Sequence, residues 1–169
     1  MQNRCAVKVV PVFEQLEDIL TASWNPRDGL VVTFADLPDA WLAALDRLGR
    51  DVPVRQYGVR IEHVGLAVKY DPDGGIGWLY SAVTVAGKRP HGLSVSGSGA
   101  RLDDDAERVL VSMADLLQNE IADTGTAWPW GVKGGFMTVA CLDGVACWKG
   151  RDGETVRIGD LTECPPDSA

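Results

Sequence analysis

Two histidines and two serines are the side chains best suited to acid–base or nucleophilic chemistry: His63, His91, Ser94 and Ser96. A histidine can act as the general base for a serine nucleophile. The run 92–96 differs from a Gly-x-Ser-x-Gly nucleophile elbow because Ser96 stands where glycine is required. His63 lies among apolar residues, which favours a packed histidine over a catalytic one. The sequence therefore predicts no complete catalytic set.

These four residues still support two alternative functions. One is small-ligand binding, in which they would line a cavity that a mobile, Gly- and Ser-rich loop over 87–101 closes. The other is a hydrolase with non-standard residues, which requires His63, His91 and a carboxylate to meet in one cleft.

Two glycine-containing segments fall short of phosphate and calcium motifs. Gly97 and Gly99 precede a predicted helix, but the third glycine of a dinucleotide site and the lysine of a P-loop are absent. The segment 71–74 begins like a calcium loop, yet Gly75 and Ala82 occupy the positions of two required ligands. We therefore expect no metal and no cofactor at either segment.

The cysteines Cys141 and Cys147 flank a predicted Asp-Gly hairpin turn. A two-residue turn pairs Cys141 with Ala146 and Ala140 with Cys147, which places the two sulfurs on opposite faces of the hairpin. We expect small packed side chains here, with neither a disulfide nor a shared metal ion.

Composition narrows the class of protein. The chain has 169 residues and a net charge of −8, so we expect one domain over 1–169 that anionic nucleic acids and membranes repel. The N-terminus lacks the apolar run of a signal peptide, and no apolar run reaches the length of a membrane span. These features predict a cytoplasmic protein, and the acidic charge favours a basic protein partner.

Six tryptophans outnumber either of the other aromatic types. Trp24, Trp128 and Trp130 lie in predicted turns beside Pro or Gly, where the sequence does not force burial. Tryptophan buries much area at binding hot spots, so these three residues and Lys133 are candidates for partner binding. The same rings could instead plug the core from the loops.

The last forty or so residues resemble uncharacterised small bacterial proteins of an accessory or immunity type. The shared residues are Trp128-Pro129, Trp148 and the run 158–161, Ile-Gly-Asp-Leu. The resemblance implies a partner protein. Those proteins carry Cys and His after the Trp-Pro, whereas this chain has Gly-Val-Lys at 131–133, so a metal or thiol site is not implied here.

Hydrophobic spacing in the N-terminal part predicts two strands and two helices. The runs 5–10 and 30–34 read as strands, with a helix over 12–23 that could cross between parallel neighbours. A second helix would have Asp36 as its N-cap and Gly49 as its C-terminal stop.

A long hairpin over 59–86 forms the predicted centre of the sheet. Pairing Tyr70 with Ile76 places Gly65 opposite Ser81, where the apolar residues change from one face to the other on both strands. We therefore predict a ribbon that bends near Gly65 and buries opposite faces at its two ends. A β-bulge at the same point would also explain the change of face.

A long helix over 103–122 and a three-stranded meander over 135–158 complete the prediction. The fold class is α+β, a mostly antiparallel sheet packed by about three helices. We expect a protein-interaction module without catalysis, such as an inhibitor, an immunity-type protein or an assembly subunit, whose oligomeric state the sequence does not define.

Overall fold

Two antiparallel sheets and two helices make up residues 16–88 and 98–164, the part of the chain that the computed structural model describes. In chain order they are β1 (Glu17–Asn25), β2 (Gly29–Ala35), α1 (Asp39–Asp51), β3 (Ile61–Asp71), β4 (Ile76–Val85), β5 (Gly99–Arg101), α2 (Ala106–Asp123), β6 (Thr138–Leu142), β7 (Val145–Lys149) and β8 (Thr155–Arg157). The sheets have the strand orders β2-β1-β3-β4-β5 and β6-β7-β8. The α+β class is confirmed, with two helices in the described residues instead of about three.

The predicted helix over 12–23 is wrong in its described part, because residues from Glu17 onward form β1. The core face of β1 carries Leu20, Ala22 and Trp24 at the period of a strand. A register shift between Asp18 and Leu20 also buries Ile19. Because of this irregularity, the consecutive apolar residues Ile19 and Leu20 are both buried, and the resulting spacing resembles that of a helix. The predicted strand over 5–10 lies outside the described residues.

The second predicted helix exists as α1, but both of its predicted ends are wrong. Asp36 does not cap it, because α1 begins at Asp39 and Pro38 occupies the N-cap position; the Asp36 amide donates to the Ile19 carbonyl at 2.8 Å. Gly49 lies inside the helix, where a Cβ atom would stand 3.1 Å from the Cβ of Leu30. This glycine therefore allows α1 to approach β2 closely, and the helix continues to Asp51.

The β3–β4 hairpin differs from its predicted register by one residue. Asp71 pairs with Ile76, Tyr70 with Gly77, and Gly65 with Ala82. Gly77 faces α1, where a Cβ atom would lie 2.8 Å from the Trp41 ring.

One face of the hairpin is buried along both strands, carrying Val64, Leu66, Val68, Leu79, Ser81, Val83 and Val85. The shift between Ile61 and His63 brings Ile61 inside as well. The predicted change of buried face at Gly65 is therefore wrong, because a one-residue shift exchanges the faces of a strand.

The helix α2 confirms the long helix predicted over 103–122. Asp105 is its N-cap, and the carboxylate accepts from the Arg108 amide at 2.9 Å. Residues of α2 contact β4 and β5 of the first sheet and β6 and β7 of the second. One hydrophobic cluster therefore contains side chains from both sheets. Of the predicted loop 87–101, residues 99–101 form β5 and 89–97 lie outside the described residues.

The C-terminal meander follows its prediction closely. Cys141 pairs with Ala146 and Ala140 with Cys147, as the Asp-Gly turn requires. Cys141 is exposed and Cys147 is buried, so the two thiols lie on opposite faces and form no disulfide.

Glu107 joins both helices to the second sheet. Its carboxylate accepts from Arg47 Nη1 at 2.5 Å, from the Ala146 amide at 2.8 Å and from Arg157 Nη2 at 3.4 Å. Burial by itself would raise the pKa of this carboxyl, but the bonds from Arg47 and Ala146 outweigh it and hold the pKa below the usual 4.5. The ionised form is therefore the one that the fold stabilises.

We expect Glu107→Gln to lower the free energy of unfolding by about 2 kcal/mol at neutral pH, because Arg47 loses its charged partner. The folded-state pKa is lowered, so this stabilisation is complete above the unfolded pKa and disappears as the pH falls through the folded pKa. Urea unfolding of both proteins across the acid range should show their stabilities converging. Asp46→Asn, at an exposed pair with Arg50, is the control and should change little. A gap between wild type and Glu107→Gln that persists in acid would contradict the linkage.

Asp51 attaches the end of α1 to the C-terminal segment. This residue is fully buried, and its carboxylate accepts from Trp148 Nε1 at 2.7 Å and from the amides of Gly159 at 2.6 Å and Leu161 at 3.0 Å. Burial raises the pKa of the Asp51 carboxyl, and the three donors oppose that rise only in part.

Candidate functional site

Three aromatic side chains form an exposed cluster, the aromatic surface, made of Tyr57, Trp130 and Phe136. The Tyr57 and Trp130 rings stack with centroids 4.0 Å apart and planes 9° from parallel. Tyr57 is 54% exposed and Phe136 is 46% exposed, and Trp130 is half-buried between the chain segments that carry them. Scattered exposed apolar residues are ordinary, whereas aromatic residues that lie close together at the surface make this region a candidate binding surface.

Backbone hydrogen bonds hold the aromatic surface in place. Tyr57 and Ala127 exchange two such bonds, of 3.0 and 3.1 Å. The Trp130 amide donates to the Arg55 carbonyl at 2.9 Å, and Trp130 pairs with Phe136 across a short antiparallel bridge. Residues distant in sequence are thus brought together by backbone hydrogen bonds.

A buried ion pair supports these segments from below. Arg55 has a positive φ of 57° and is 8% exposed. Its guanidinium donates to Glu154 Oε1 at 2.7 Å and to the Thr162 carbonyl at 2.7 Å. The other oxygen of Glu154 accepts from the Val132 amide at 3.0 Å. Arg55 therefore links the Tyr57 segment to the Trp130 segment and to the C-terminal chain.

Basic side chains lie next to Phe136. The Arg151 guanidinium carbon is 5.6 Å from the centre of the Phe136 ring, within the range of a cation–π contact. A shallow groove of about 290 Å³ continues from there and is lined in part by Lys149 and Arg151, which are both exposed. The surroundings of Phe136 are thus basic, although the whole chain has a net charge of −8.

The four predicted partner-binding residues separate into two groups. Trp24 is 3% exposed on the core face of β1, and Trp128 is 2% exposed. Their rings are in the core, so a docking partner cannot contact them, and this part of the prediction needs correction. Trp130 belongs to the aromatic surface, and Lys133 is exposed beside Asp152 at 3.5 Å. Of the three turn tryptophans, only Trp130 is placed to meet a partner.

Hydrogen bonds and a ring contact explain why Trp128 is buried. Its indole N–H donates to the Val54 carbonyl at 2.9 Å, and the Asp51 carbonyl lies 3.3 Å away. The ring meets Trp148 edge to face at a centroid distance of 5.0 Å. The polar N–H is therefore satisfied inside the core, which lets a tryptophan in a loop pack completely.

Most of the four predicted ligand-binding residues, including one histidine of the hydrolase alternative, lie outside the described residues. His91, Ser94 and Ser96 lie outside the described residues, and His63 is exposed on β3. Burial, with a smaller contribution from Glu107, raises the pKa of the Cys147 thiol, which disfavours a reactive thiolate. The His, Cys, Asp and Glu side chains of the described ranges contain no group of three that could hold a metal ion.

Neither helix of residues 16–88 and 98–164 combines the length and the apolar character needed to cross a membrane.

Sequence reasoning missed Tyr57, Phe136 and Arg151. Tyr57 and Phe136 lie in isolated β-bridges and Arg151 lies in a turn, all outside any periodic pattern, so hydrophobic spacing carries no signal for them. An aromatic residue directly beside glycine, as at Tyr57-Gly58 and Gly135-Phe136, was the one available hint. Trp130 became a candidate for the same reason, because it is followed by Gly131.

Searches with this chain against protein-family models, curated proteins and solved structures returned no match.

Proposed function

We propose that the protein is a protein-interaction module, such as an inhibitor, an immunity-type protein or an assembly subunit, and that the aromatic surface contacts its partner. The observation that carries this proposal is the stacked Tyr57–Trp130 pair, presented beside the exposed Phe136 on a backbone that is already ordered. Tyrosine and tryptophan are the aromatic residues most enriched at binding hot spots.

The charge beside the aromatic surface indicates what the partner presents. The net charge of −8 would favour a basic partner over the whole surface. Close to Phe136, however, the exposed charged groups that line the groove are Lys149 and Arg151. A partner segment that combines an apolar side chain with carboxylates would match both features, since its carboxylates could pair with the guanidinium and ammonium groups.

The resemblance of the C-terminal residues to accessory and immunity-type proteins is consistent with this proposal, but it concerns the fold. Trp128, Trp148, Ile158 and Leu161 are all buried. The shared residues therefore build the support on which the aromatic surface lies, and they do not themselves contact a partner.

A library of random peptides selected on the immobilised protein tests the proposal. We expect the enriched peptides to combine Asp or Glu with an aromatic or large aliphatic residue. Tyr57→Ala should weaken binding of such a peptide about thirtyfold, the effect of losing a hot-spot side chain. Arg151→Glu should weaken it as well, and more strongly at low salt.

The matched control uses two phenylalanines of nearly equal exposure. Phe136 is 46% exposed on the aromatic surface, and Phe34 is 49% exposed on the edge strand β2. Phe136→Ala should reduce peptide binding, and Phe34→Ala should leave it unchanged. The reverse result would assign binding to the β2 edge, where strand addition is the rival mode, and would refute the proposal.

A further inference from the structure

A cavity of about 380 Å³ lies between the C-terminal turns of α2 and the segment 125–128. Its apolar wall consists of Ala122, Ala127, Trp128 and Phe136. Sites for small organic molecules begin at about 300 Å³ and are mostly apolar with a few polar groups. The size and the wall of this cavity therefore suit a small molecule.

Thr126 contributes almost nothing to the inner surface of the cavity. The residue is 2% exposed and its hydroxyl oxygen is buried, so a ligand in the cavity would not reach that oxygen.

Gln118 supplies a polar group to the cavity lining. Its Nε2 donates to the Trp128 carbonyl at 3.1 Å and to the Met137 carbonyl at 2.5 Å. These two bonds fix the orientation of the amide, so the other end, Oε1, is the one that remains to accept a hydrogen bond. The cavity therefore offers an acceptor whose position is already set.

The lining contains no ionisable side chain, since its remaining members are Asn119 and Gly125. The neighbouring Lys88 ammonium donates to the Thr124 carbonyl. A charged ligand would thus lose its hydration in the cavity without gaining a counter-charge from the walls. We propose that this cavity binds a small neutral aromatic molecule that carries an N–H or O–H donor.

Indole and benzofuran test the proposal as a pair, because they share one shape and only indole has a donor. Titration of isotope-labelled protein should give saturable amide shifts for indole, centred on residues 118–128 and 136, with a Kd of about 1 mM. Benzofuran should bind about fivefold more weakly, the effect of one hydrogen bond. Shifts that do not saturate or that spread over the surface would overturn the site, and equal affinities would overturn the donor requirement.

Ala122→Phe tests the position of the ligand. Ala122 is exposed on α2, so a larger side chain there needs no change in the core, yet it would fill the cavity mouth. We expect it to abolish indole binding, while Arg108→Phe, at an exposed position near the other end of α2, keeps it. Retained binding in Ala122→Phe would overturn the site. The cavity shares Phe136 with the aromatic surface, but indole binding is measured without any peptide, so this test does not depend on the proposed partner.

Discussion

Trp128→Ala should lower the free energy of unfolding by about 3–5 kcal/mol, the usual cost of removing a large buried aromatic side chain. The ring is 2% exposed and packs against Trp148, and its indole N–H bonds to the Val54 carbonyl. The substitution removes these contacts and leaves a cavity beneath the segment that carries Trp130. Urea unfolding measured by circular dichroism would give the difference directly.

Trp130→Ala is the natural comparison, because Trp130 lies two residues away and is only half-buried. Its loss should cost about 1 kcal/mol of unfolding free energy, since one face of the ring contacts only the exposed Tyr57. If Trp128→Ala proved as mild as Trp130→Ala, the division of these tryptophans between core and surface would be wrong.

Asp51→Ala should cost at least about 3 kcal/mol of unfolding free energy. Three N–H donors, from Trp148, Gly159 and Leu161, would lose their acceptor inside the protein, and an unsatisfied buried donor costs about 1–3 kcal/mol. Asp51→Asn keeps the shape but turns one acceptor into a donor that faces another N–H. It should therefore have an intermediate stability, again measurable by urea unfolding.

The pH dependence gives an independent test of Asp51. Burial raises the pKa of its carboxyl in the folded state above the usual 3.8. Between the unfolded and folded pKa the folded state binds more protons, so the contribution of Asp51 to stability falls as the pH rises through this window. The Asp51→Asn side chain does not titrate, so its stability lacks this decrease. The difference in unfolding free energy between wild type and Asp51→Asn should therefore shrink as the pH rises. An advantage that grows would show that the three donors outweigh burial and would contradict the assigned direction.

The sequence predicted α2 and the C-terminal meander well because strong local signals define them. Asp105 caps α2, and apolar residues follow at helical spacing. Asp143 and Gly144 both adopt positive φ, as a type I′ hairpin turn requires, and this turn fixes the register of Cys141 and Cys147.

The sequence-based predictions were wrong where the pairing register of a strand changed by one residue. The register shift at Ile19 gave β1 an apolar spacing that resembles a helix. In the β3–β4 hairpin, Ile76 pairs with Asp71, one residue away from the predicted partner Tyr70. Period-two patterns carry no information on which residue is bulged, so neither shift could be read from apolar spacing.

Of the three residues of the aromatic surface, the sequence predicted only Trp130. The other members of the aromatic surface come from separate chain segments. These segments meet through the Tyr57–Ala127 bridge and the buried Arg55–Glu154 pair. Both contacts join residues far apart in sequence. Local propensity therefore could not place Tyr57 beside Trp130 or separate Trp130 from Trp128.

Hydrogen–deuterium exchange with and without an enriched acidic peptide tests most directly whether the aromatic surface is the binding site. We expect the peptide to slow exchange in residues 55–57, 130–137 and 149–151, and to leave β2 unchanged. Protection of Gly29–Ala35 instead, with no change around Tyr57 and Trp130, would contradict the assignment of the aromatic surface as the contact for a partner protein.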